Sequence, residues 1–140
     1  MALPTGSLLA AACGGSAAAG IAWALVVWLG GRAGWGIGST WGPGHAIAGL
    51  VAAGIVALIA TMVLLALGPW KVRPLGTWMT LWLAGAVGRL ILTPLAAFLV
   101  YSAAPLSATA LFLGVGITYV SALLAEVSVL TRCLQRVSPV

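Results

Sequence analysis

LGTWMTLWLAGAVGRLILTPLAAFLVY, residues 75–101, carries no charge except one arginine, Arg89, near its middle. A stretch of about 20 predominantly apolar residues is enough to cross the hydrocarbon core of a bilayer as an α-helix. A guanidinium keeps its proton inside a protein, and at the bilayer centre it costs roughly 2.5 to 3.5 kcal/mol on insertion scales. Something must offset Arg89. The chain has one carboxylate, Glu126, and it too lies inside an apolar run.

The rest of the chain extends this reading. Of 140 residues, 63% are hydrophobic and 5% charged, where a soluble domain carries about 25% charged residues. Mean hydropathy is +1.21. The composition is that of an integral membrane protein, and the length accommodates about four spanning helices with no separate soluble domain. The net charge of +5 does not point to nucleic acid, because the bases sit at the ends of the apolar runs rather than in one basic stripe. They report membrane orientation and contact with anionic lipid. Cys13 and Cys133 stand at opposite ends of the chain without metal-ligand spacing, so neither a structural disulfide nor a metal site is expected.

The first span, about residues 7–30, is rich in Ala and Gly. It lacks a basic n-region and is longer than a signal-peptide core, so a retained helix is expected. Gly14 with Ala18, Gly15 with Ala19, and Gly20 with Ala24 are small pairs at four-residue spacing that let another backbone approach. A Gly-rich connector follows, with Arg32, Trp35, Trp41, Pro43 and His45. Its Gly34, Gly36 and Gly38 follow a membrane helix rather than a strand and lack a Lys-Ser/Thr pair, which excludes a phosphate loop. Trp28, Trp35 and Trp41 read as an interfacial belt, and His45 as an interfacial imidazole. The second span, 46–67, ends at Gly68, Pro69 and Trp70, and the third, 75–101, begins after Lys71, Arg73 and Pro74. The fourth, 106–130, is followed by Arg132 and Arg136.

So short a link makes the second and third spans an antiparallel hairpin. The fold expected is all-α: an integral membrane four-helix bundle of two antiparallel transmembrane hairpins, in a single domain over residues 1–140. Lys71 and Arg73 lie on the same side as Arg132 and Arg136, and positively charged ends stay in the cytoplasm. Both termini are therefore expected to be cytoplasmic.

Helical spacing puts Gly85, Arg89 and Thr93 on one stripe of the third span, continued by Trp78 and Trp82. On the fourth, Val115, Tyr119, Ala122 and Glu126 form the matching stripe. At 1.5 Å rise per residue, Arg89 lies about 16 Å deep from Trp78, Glu126 about 9 Å deep from Arg132, and Tyr119 about 20 Å deep. Arg89 can reach Glu126 along its own stem, with Tyr119 accepting one donor of the fork or stacking on it. Pro94 leaves the carbonyl of Leu90 without its helical donor, a second partner beside Arg89. The candidate binding residues are Arg89, Glu126, Tyr119 and Thr93. They fit either a clamp within one subunit or a contact with a partner helix or ion pathway; a Glu126 lying in the interfacial zone is the third reading. Without a carboxylate pair, a His/Cys/Asp cluster or an activated nucleophile, no enzyme and no cofactor are expected.

Gly88, Arg89, Leu90 and Thr93, followed by Tyr119, Glu126 and Arg132, resemble the small I-chain proteins of bacterial ATP synthase operons, including variant forms with a membrane-embedded arginine. The resemblance runs from Trp78 to Arg132. It implies a multi-pass protein of the bacterial inner membrane with an accessory or assembly role for the synthase rotor and a link to magnesium supply. By that analogy Arg89 faces the ion-carrying carboxylate of a rotor subunit while the ring is built. Two other classes of function are compatible with the residues. One is a small homo-oligomeric transporter or channel that admits an anion at Arg89 and Tyr119. The other is a structural subunit of a larger respiratory or photosynthetic membrane complex, held by its small-residue faces.

Overall fold

A chain inside a bilayer has no water to satisfy its backbone, so each apolar run must close its own hydrogen bonds as a helix. The computed structural model describes residues 5–33, 43–68 and 70–137. They form α1 (Thr5–Ala33), α2 (Pro43–Leu67), α3 (Leu75–Ala103) and α4 (Ala108–Val137). All four helices are long and apolar enough to cross a membrane. No strand occurs among the described residues.

Most of the connector with Gly34, Trp35 and Trp41 lies outside the described residues. Three of its members belong to helices instead: α1 continues through Arg32, and α2 starts at Pro43, so His45 sits in its first turn. Proline suits that position because a first-turn residue has no helical acceptor for the N–H it lacks. At the other end of α2, Gly68 adopts φ +59, the left-handed conformation that costs glycine nothing. Its N–H donates to Leu65 O at 3.1 Å, and Lys71 N–H donates back to Gly68 O at 3.0 Å. The chain turns there within a few residues. Helix α3 runs unbroken through Pro94 to Ala103, and Ala104 N–H donates to Val100 O to close its last turn. Helix α4 extends well past the apolar run, to Val137.

Helices α1, α2 and α4 form a mutually packed trio, and α3 lies outboard of it. Helix α3 touches α2 more than α4 and does not approach α1 among the described residues. One core cluster joins Ala48, Ala52 and Val56 of α2 to Ala110, Leu111, Val115 and Ala122 of α4, with Ala97 as the contribution of α3. A second joins Leu8 and Ala12 of α1 to Ala60 and Leu64 of α2, with Val129 and Leu130 of α4 against them.

Small residues set the spacing of the trio, as expected where water supplies no hydrophobic drive between helices. A Cβ on Gly20 would stand 2.6 Å from Ala53 Cβ, and one on Gly15 would stand 3.1 Å from Ala122 Cα. The α1 glycines therefore serve two different helices. Gly14 meets nothing within 4 Å. The closest fit involves Gly49, whose missing Cβ position is filled by the Trp23 indole. Trp23 Nε1 donates to His45 O at 3.2 Å, which helps hold the ring against that glycine. Two buried hydroxyls are satisfied within their own helices: Ser16 donates to Ala12 O at 2.8 Å and Thr118 to Gly114 O at 2.7 Å.

Candidate functional site: a buried ion pair between α3 and α4

Helix α3 exposes most of its side chains, and Arg89 belongs with Trp78, Thr93 and Ala97 to the narrow face that turns inward. Its neighbours Leu90 and Ile91 are 59% and 62% exposed, whereas Arg89 is 4% exposed. Arg89 Nη1 donates to Glu126 Oε1 at 2.5 Å. Glu126 is completely buried. The offset in depth between the two residues is bridged by the length of the arginine side chain. An isolated cation inside apolar surroundings would be expensive, and so would an isolated carboxylate, so their pairing offsets part of both penalties.

The pair is incomplete. One nitrogen meets one oxygen, rather than the two parallel bonds of a guanidinium fork on a carboxylate. Arg89 Nε and Glu126 Oε2 are buried without a hydrogen-bond partner, as is Trp82 Nε1 two turns away on α3. Buried polar atoms left in this state each cost about 1–3 kcal/mol. The site thus holds spare hydrogen-bonding capacity, a donor and an acceptor, within the ion pair itself.

Thr93 and Tyr119 lie beside it. Thr93, one turn above Arg89, is 2% exposed. Together with Arg89, Tyr119, Val56, Ala60, Ala122 and Leu123 it lines a crevice among α2, α3 and α4. The crevice holds no space wide enough for a water molecule.

Tyr119 behaves differently from the sequence expectation. Its hydroxyl donates to the α3 backbone at Ala86 O, 3.2 Å away, rather than serving the guanidinium. It is a second tie between α4 and the outboard helix. Tyr119→Phe is expected to lower stability by about 0.5–1.5 kcal/mol, read as a shift in the unfolding midpoint in bicelles, without disturbing the ion pair.

Comparison with family models, curated proteins and solved structures returns no match. The functional reading therefore rests on the arrangement of these side chains. Among the described residues no cluster of His, Cys, Asp or Glu could hold a metal ion. Sequence reasoning put Trp82 on the Arg89 stripe but missed two properties of the site: the orphaned state of the Trp82 indole, and the looseness of α3. The first had a signal, since Trp82 sits seven residues before Arg89 on the same helical face. The second depends on how closely the other three helices pack, which their nearly uniform apolar surfaces do not announce.

Proposed function

We propose that this chain is a non-enzymatic accessory or assembly protein of a rotary ATP synthase in the bacterial inner membrane. In this reading Arg89 contacts the buried carboxylate of a rotor subunit. The observation that carries it is the buried, half-satisfied Arg89–Glu126 pair on the least embedded helix. A guanidinium must always have an anion nearby in a membrane. Glu126 fills that need in the free protein, and a partner carboxylate of the same chemistry fills it in the complex. Because one buried ion pair replaces another, the exchange avoids a step with an unpaired charge. The sparse packing of α3 against α4 supports such an exchange, since the ion pair and the Tyr119 bond are the polar ties between these two helices.

The topology that goes with this reading is two antiparallel hairpins with both termini in the cytoplasm. The order of contacts supports it: Trp23 meets Gly49, Gly20 meets Ala53, and Cys13 meets Thr61, so positions fall along α1 as they rise along α2. The bases at Lys71, Arg73 and Arg132 then share the cytoplasmic side.

Purification of tagged protein from native membranes in mild detergent, followed by mass spectrometry, tests the proposal. Rotor subunits are expected to accompany the unaltered chain and to be lost with Arg89→Leu. The double variant Arg89→Leu/Glu126→Leu contains no buried charge, so loss of capture there separates contact from folding. Recovery of the chain without synthase subunits, or capture by the double variant at the same level, would overturn the proposal.

A further inference from the structure

The chain's surface charge has a second consequence, independent of the partner of Arg89. Leu64 in the last turn of α2 packs in one cluster with Val129 and Leu130 of α4. The segment after α2 and the end of α4 therefore emerge at the same level of the bundle. Lys71 and Arg132 are exposed there. The left-handed turn at Gly68 leaves room for the Lys71 stem, whose Cδ would stand 3.5 Å from a Cβ at that glycine. The Arg73 guanidinium lies 5.3 Å from the centroid of the Trp78 ring, a cation–π contact in the first turn of α3. Between these bases Trp70 and Val72 are 56% and 78% exposed. The one acidic side chain of the sequence, Glu126, is fully buried against Arg89 and does not neutralise this surface.

Exposed cations alternating with exposed apolar side chains, at the rim of a membrane-spanning bundle, match the two halves of an anionic phospholipid. We propose that Lys71, Arg73 and Arg132 form a collar that binds anionic phospholipid headgroups, with the phosphodiester on the bases and the upper acyl chain against Trp70 and Val72. Each basic side chain near a charged membrane surface multiplies binding by about five. The attraction weakens with salt, because exposed charges are screened within about a nanometre.

The test is native mass spectrometry of the full chain released from micelles containing equal amounts of phosphatidylglycerol and phosphatidylcholine. The unaltered chain is expected to retain phosphatidylglycerol preferentially, and the variant Lys71→Gln/Arg132→Gln to lose roughly 25-fold of that preference with helix content unchanged by circular dichroism. On the unaltered chain alone, the preference should fall steadily as salt rises, which keeps the test decisive should the variant fail to fold. Equal retention of both lipids, a preference indifferent to salt, or a folded variant that still selects phosphatidylglycerol would overturn the proposal.

Discussion

Glu126→Leu is expected to destabilise the protein by about 3–5 kcal/mol, the cost of removing one partner from a buried ion pair. The loss leaves Arg89 inward-facing and charged among Val56, Ala60 and Ala122, with no way to shed its proton. The polar ties of helix α3 to α4 are this pair and the Tyr119 bond to Ala86 O, and its remaining packing is mostly on α2, so the damage should concentrate there. Hydrogen exchange in bicelles is expected to accelerate along residues 75–103 while the α1/α2/α4 trio stays protected. Arg89→Leu should cost less, because a carboxyl left alone can be discharged by a proton and a guanidinium cannot. Equal protection of all helices in Glu126→Leu would mean that α3 is anchored by something other than the pair.

The second large effect is expected at Gly49. Helices α1, α2 and α4 all meet around this residue: the Trp23 ring occupies the place of its side chain, and its Cα stands 3.3 Å from where a Cβ on Gly114 would be. Gly49→Val must expel the indole, break its bond to His45 O and push α1 away. Overpacking of this kind costs about 3 kcal/mol, and the forfeited hydrogen bond adds about 1 kcal/mol. Gly54, one turn further along α2, meets nothing within 4 Å. Gly54→Val is therefore expected to leave the unfolding midpoint nearly unchanged, which makes it the matched control. Similar losses at both positions would show that valine is disfavoured in α2 generally and that the Trp23–Gly49 contact has no special weight.

The four spans are legible in the sequence because hydropathy alone distinguishes lipid-soluble helices from everything else. The meeting of Arg89 with Glu126 is legible for a different reason: a chain with one carboxylate offers a buried guanidinium little choice. Sequence does not reveal the role of α1. Its face is Ala and Gly nearly all round, so Gly15 turning to Ala122 and Gly20 to Ala53 follows from backbone fit and not from any pattern of polarity. The partner of Tyr119 is equally hidden, because a backbone carbonyl such as Ala86 O has no sequence signature. The end of α4 was also obscured: hydrogen bonding carries the helix to Val137 after the apolar pattern that announces it has stopped.

The account depends on Arg89 and Glu126 acting as one unit. The most direct test is an unfolding cycle in bicelles over four chains: unaltered, Arg89→Leu, Glu126→Leu and the double variant. Replacing both members of a buried pair with apolar residues is often neutral or stabilising, whereas removing one is strongly destabilising. The double variant should therefore recover to within about 1 kcal/mol of the unaltered chain, with a coupling of about 2 kcal/mol or more between the two positions. Simple additivity, with the double variant as unstable as the sum of the single ones, would contradict the account.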